Sequence, residues 1–107
     1  MANSSKKLSL EEMTTLAKKV KVEDWSFDNK DFDSYYIGKI ADFVITFKGS
    51  KLMNGQRYLL YVNYKNVQLG KEIVNEELYD FFHSKRREIL KFYEVEGLDK
   101  ARDLLKE

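Results

Sequence analysis

The 107-residue chain has no cysteine, no proline, one histidine and one tryptophan. Without cysteine there is no disulfide, no thiolate metal site and no cysteine nucleophile, and the lone His83 rules out a histidine pair on a metal. No segment approaches the roughly 18 consecutive apolar residues of a membrane span. The opening Met1-Ala2-Asn3-Ser4-Ser5-Lys6-Lys7 lacks the apolar run of a secretory signal, so a cytoplasmic protein without a membrane partner is expected. There is no phosphate-binding glycine loop and no nucleophile elbow, so neither an enzyme nor a cofactor or small-molecule substrate is expected. With no proline-marked linker, internal repeat or low-complexity tract, residues 1–107 are read as one domain.

What the chain does have is aromatic bulk and segregated charge. Seven Phe, seven Tyr and Trp25 supply large side chains for one core. The net charge of +1 conceals blocks of +3 (residues 1–21), −4 (22–42), +5 (43–71) and −3 (72–107). In the third block Lys48, Lys51, Arg57, Lys65 and Lys71 stand without a carboxylate, which concentrates positive potential locally.

Ser9 and Glu12 have the spacing of a capping box, and Leu10, Met13, Leu16, Ala17 and Val20 follow at helical intervals, predicting a helix over 9–21 behind a flexible 1–8. Val22 to Phe27 reads as one helical turn. Phe32, Tyr36, Ile40 and Phe43 fit helical spacing, while Tyr35, Ile37, Ala41 and Phe43 also fit strand alternation. Capping by Asp31 or Asp33 favours a helix over 31–42, although Gly38 costs it about 1 kcal/mol.

From Val44 the β-branched and aromatic residues predict a hairpin over 45–62, and Gly49 with Asn54-Gly55 gives it a long, projecting turn. Val67 to Val74 is a further extended piece. A helix beginning at Asn75 and stopping at Gly97, then a short one over 98–105, completes the chain. These last helices carry more apolar surface than one small core needs, so 75–107 is expected to pair with another copy.

The hairpin is the candidate binding element. Lys48, Lys51 and Arg57 suit phosphates, Asn54, Gln56 and Arg57 suit base edges, and Ser50 and Lys39 complete the candidate set for double-stranded DNA. The cluster Lys85-Arg86-Arg87 with Lys91 is read as a solvated face, and His83 as exposed or interfacial. Asp24, Asp28, Asp31, Asp33 and Asp42 lack the spacing of a calcium loop and are read largely as caps.

Helix, short helix, helix and two-stranded hairpin in this order over 9–64 resembles the winged helix-turn-helix arrangement, an α+β fold. The helix this resemblance would make the recognition helix, 31–42, is rich in aspartate and has Lys39 as a base, so the resemblance implies a DNA-binding mode dominated by the wing. Wing-centred binding with dimerisation through C-terminal helices is similar to that of TcpK-like accessory proteins, which mark a conjugative plasmid's origin of transfer. The segment Glu72 to Tyr79 followed by Lys85-Arg86-Arg87-Glu88 looks like the opening of sigma-like proteins from mobile elements. These likenesses imply a homodimeric plasmid or phage protein, accessory or regulator in DNA transfer, replication or transcription. The rival expectation is a protein-binding inhibitor or adaptor of such an element.

Overall fold

The computed structural model describes residues 6–52 and 55–107, without the side chains of residues 51, 52, 55 and 56. Helix α1 (Leu10–Lys19) is followed by a single 3-10 turn at Val22–Asp24. Five strands come next: β1 (Trp25–Lys30), β2 (Asp33–Ile40), β3 (Phe43–Leu52), β4 (Gly55–Tyr64) and β5 (Val67–Ile73). A 3-10 turn at Glu76–Leu78 then leads into the long helix α2 (Tyr79–Leu105). The strands form one antiparallel meander in sequence order, and both helices lie on the same face of it. This is an α+β fold.

Helix α1 forms where the sequence predicts it. The Ser9 hydroxyl accepts from the Glu12 N–H at 3.1 Å, and the Glu12 carboxylate accepts from the Ser9 N–H at 3.0 Å. Of the segment 1–8 expected to be flexible, residues 1–5 lie outside the described residues, while the Leu8 N–H donates to the Leu69 carbonyl and Lys7 Nζ to the Gln68 carbonyl, both at 2.8 Å. The register shift between Val62 and Asn63 gives β5 an extra residue there, so Gln68 pairs with Asn63 while Gly70 pairs with Val62. Leu69 and Gly70 both lie toward the helices, where the Leu69 carbonyl meets Leu8.

Residues 31–42 are not a helix. Asp33–Ile40 is strand β2, hydrogen-bonded to β1 and β3 along its length. The reason lies in Gly38 and in two tight turns. A Cβ on Gly38 would lie 2.9 Å from three atoms of the Trp25 indole, so the glycine is the seat of a fully buried tryptophan. Asp31 (φ 56°) and Ala41 (φ 52°) adopt left-handed conformations in the two-residue connections on either side. Gly38→Ala is therefore expected to cost about 1–3 kcal/mol through overpacking. Urea unfolding would check this; an unchanged midpoint would show that the indole can move aside.

The expected hairpin is present with longer strands and a shorter turn, since Gly49 lies within β3 and Leu52 pairs with Gly55. It is not a wing hung on the edge of the domain but the central pair of the sheet. Only its end overhangs, because β2 pairs no further along β3 than Ser50, and β5 reaches β4 only at Leu59. Gly97 likewise does not stop a helix. Helix α2 runs through it, and the Lys100–Glu96 pair at 2.9 Å bridges the position.

The core fills the space between sheet and helices. Met13, Ala17 and Val20 come from α1 and its C-terminal boundary, Phe82 and Ile89 from α2, and Trp25, Tyr36, Ile45, Phe47, Tyr58, Leu60 and Val62 from the strands. Phe47 is its centre: its ring lies 4.7 Å from Tyr36, 5.0 Å from Phe82, 5.5 Å from Trp25 and 6.0 Å from Tyr58, centroid to centroid. His83, expected to be exposed or interfacial, is half-buried at the margin of this assembly, with Nδ1 2.8 Å from the Tyr58 hydroxyl. Arg86 also turns inward and donates to the Tyr36 hydroxyl at 2.8 Å; the largely buried Lys85 pairs with Glu88, and Lys91 pairs with Glu94 at the surface.

Candidate nucleic-acid interface

Because side chains alternate along a strand, the positions between the core residues all point away from the helices. Register then sets them in rows. One row crosses the sheet through Lys30, Asp33, Ser50 and Arg57; the next through Asp28, Tyr35, Lys48, Leu59 and Ile73. A third contains Ser26, Ile37, Thr46, Tyr61 and Lys71, and a fourth Lys39, Val44, Asn63 and Gln68. No described helix covers this face. Its bases are Lys30, Lys39, Lys48, Arg57 and Lys71, against the carboxylates of Asp28 and Asp33.

Four of the sequence-predicted site residues, Lys39, Lys48, Ser50 and Arg57, thus meet on one surface. Lys51 and Gln56 pair with each other near the hairpin end, and Asn54 lies outside the described residues. Lys65, also in the basic block, sits in the β4–β5 turn with its ammonium 5.4 Å from the Tyr64 ring centroid. Tyr35, Tyr61 and Lys71 were missed as site residues. The signal was available in the alternation Tyr35-Ile37-Lys39, Thr46-Lys48-Ser50 and Arg57-Leu59-Tyr61, but only with β2 read as a strand.

The middle of the face is a shallow depression of about 160 Å³, walled by Tyr35, Lys48, Leu59, Tyr61, Gln68 and Lys71. Lys48 Nζ lies 3.3 Å from the Asp33 carboxylate and 5.6 Å from the Tyr35 ring centroid. The hydrogen bond to Asp33 raises the Lys48 pKa, so the ammonium persists into alkaline solution. Burial raises the Tyr61 hydroxyl, and burial likewise raises Tyr58 beneath the sheet. The face therefore holds positive charge at Lys48 beside the neutral Tyr61 phenol. Among the described residues there is no cluster of three or more His, Asp or Glu able to hold a metal, and no helix long and apolar enough to cross a membrane.

These shifts all have one sign. A lysine or tyrosine whose folded pKa is raised releases its proton first from the unfolded chain, so stability is full below the ordinary value and lost as pH rises through the folded one. Stability is expected to hold up to about pH 10 and to fall above it, with the ordinary values at 10.5 for lysine and 10.0 for tyrosine. Thermal melts at stepped alkaline pH would show this; a midpoint that rises in that range would contradict it.

The sequence matches no protein-family model, no curated protein and no solved structure closely enough to show kinship.

Proposed function

We propose that this chain binds double-stranded DNA through the helix-free face of its sheet and the overhanging end of the β3–β4 hairpin. One observation carries the reading: the register brings Lys39, Lys48, Arg57 and Lys71, distant in sequence, onto a single surface that no described helix covers. A whole five-stranded sheet is too broad for a major groove about 12 Å wide, whereas a two-stranded ribbon enters it. The hairpin end, with Ser50 and Arg57, is then the groove element, and Lys39, Lys48 and Lys71 meet phosphates behind it. A role as an accessory or regulator of a plasmid or phage element remains part of the proposal, as does the winged-helix likeness, reduced to the ribbon.

Fluorescence anisotropy with duplex and single-stranded oligonucleotides at several salt concentrations tests the reading. Four cationic contacts, counting Arg57 in the groove with the three lysines, give a logarithmic salt slope of roughly −3.6 on duplex. No binding at low salt, or a preference for single strands, would overturn the duplex assignment. Asp33 supplies a sharper control, because it holds Lys48 and repels phosphate. Asp33→Asn is expected to tighten DNA binding several-fold; weaker binding would mean that Asp33 positions Lys48 for its contact.

A further inference from the structure

The second half of α2 leaves the body of the protein. Beyond Tyr93, whose hydroxyl donates to the Trp25 carbonyl, the core contains no residue of the helix. Val95, Leu98, Leu104 and Leu105 are 47, 44, 71 and 83% exposed. Val95, Leu98, Ala101 and Leu105 recur at intervals of three and four, one stripe along the helix. At its body end the stripe runs into an apolar groove of about 580 Å³ between α2 and the first 3-10 turn, bordered by Val22, Phe92 and Val95.

Charge along the same segment is ordered. Residues 94–99 carry Glu94, Glu96 and Asp99 with no base, whereas residues 100–106 carry Lys100, Arg102 and Lys106 against Asp103. The pairs within the helix, Lys91–Glu94 at 3.5 Å and Lys100–Glu96 at 2.9 Å, are exposed, and such pairs contribute only a few tenths of a kcal/mol.

We infer that residues 94–106 pair antiparallel with the same segment of a second copy of this chain. A parallel pair would lay acid on acid and base on base. The antiparallel pair lays the acidic stretch of each copy along the basic stretch of the other and joins the two apolar stripes. Leu98 of one copy then faces Ala101 of the second, and Leu105 of the second copy comes level with Glu94, beside Val95 at the mouth of the groove. The surface is separate from the sheet face, so this pairing does not depend on DNA binding.

Sedimentation equilibrium over a wide concentration range tests it. The wild type is expected to move from 12.7 kDa toward twice that mass, and Leu98→Glu with Leu105→Glu to stay at the lower mass with an unchanged far-UV spectrum. A wild type that remains monomeric throughout overturns the inference. The charge order is tested by two triple variants, Glu94→Lys/Glu96→Lys/Asp99→Lys and Lys100→Glu/Arg102→Glu/Lys106→Glu. Each alone should be monomeric and their equimolar mixture dimeric; either variant dimerising alone as the wild type does overturns the charge argument. Because the native chain has no cysteine, orientation follows from Lys91→Cys and Glu107→Cys: a disulfide between the two variants supports the antiparallel pair, and one formed by Lys91→Cys with itself refutes it.

Discussion

Phe47→Ala is expected to destabilise the protein by about 3–5 kcal/mol, the range for removing a buried aromatic ring. Phe47 is fully buried and meets Trp25, Tyr36, Tyr58 and Phe82, so its loss opens a void bounded by strands on three sides and α2 above. The rings around it are anchored elsewhere. Arg86 holds the Tyr36 hydroxyl, His83 holds that of Tyr58, and Trp25 rests on Gly38, so none can collapse freely into the gap. Domains of this size have only about 5–15 kcal/mol in total, which puts the variant near the limit of folding. Phe47→Leu keeps most of the volume and loses the aromatic pairs, worth about 0.5–1.5 kcal/mol each, so it should fall between. Trp25 fluorescence during urea unfolding reports directly on this site. A loss below about 1 kcal/mol in Phe47→Ala would contradict the packing described, since cavity costs in well-packed cores exceed it.

The second large effect concerns the next residue along the strand, which faces the other way. Lys39→Ala, Lys48→Ala, Arg57→Ala and Lys71→Ala combined should abolish duplex binding at moderate salt and leave stability nearly intact. Each contact contributes about 0.9 to the logarithmic salt slope, so removing four flattens it almost completely. Lys48 acts as a free charge only once Asp33 yields it to phosphate; Arg57, Lys39 and Lys71 are exposed and form no described ion pair. A combined variant that folds and still binds with the wild-type slope would place the contacts elsewhere, with α2 the alternative through Arg87.

Much of the fold could be read from local chemistry. The Ser9–Glu12 box, the β-branched run from Val44, the extended piece after Val67 and the acidic start of the last helix each gave the right element because one signal dominated. Residues 31–42 were different, since Phe32, Tyr36, Ile40 and Phe43 fit the helical period while Tyr35, Ile37, Ala41 and Phe43 fit the strand period, and the deciding contact, Trp25 on Gly38, is made by residues 13 positions apart in sequence. Gly38, read as a weakness in a helix, is what lets the strand carry the tryptophan. Gly97 misled in the opposite direction: a cost of about 1 kcal/mol did not outweigh 27 residues of otherwise continuous helix.

The candidate site was partly visible for the same reason. Lys48, Ser50 and Arg57 lie close in sequence on one hairpin, so a charge count finds them. Tyr35, Tyr61 and Lys71 join them only through strand pairing, and that pairing requires β2. The hairpin's central place in the sheet also follows from β2 and β5 flanking it, which turns a projecting wing into a broad face with a short overhang.

The central claim, that the helix-free sheet face is the binding surface, is tested most directly by nuclear magnetic resonance. A short duplex titrated into isotopically labelled protein should shift the signals of Lys39, Thr46, Lys48, Arg57, Tyr61 and Lys71 while leaving those of Met13, Ala17, Phe82 and Ile89 in place. Shifts confined to α1 or α2, or none at concentrations that saturate a charged interface, would contradict it.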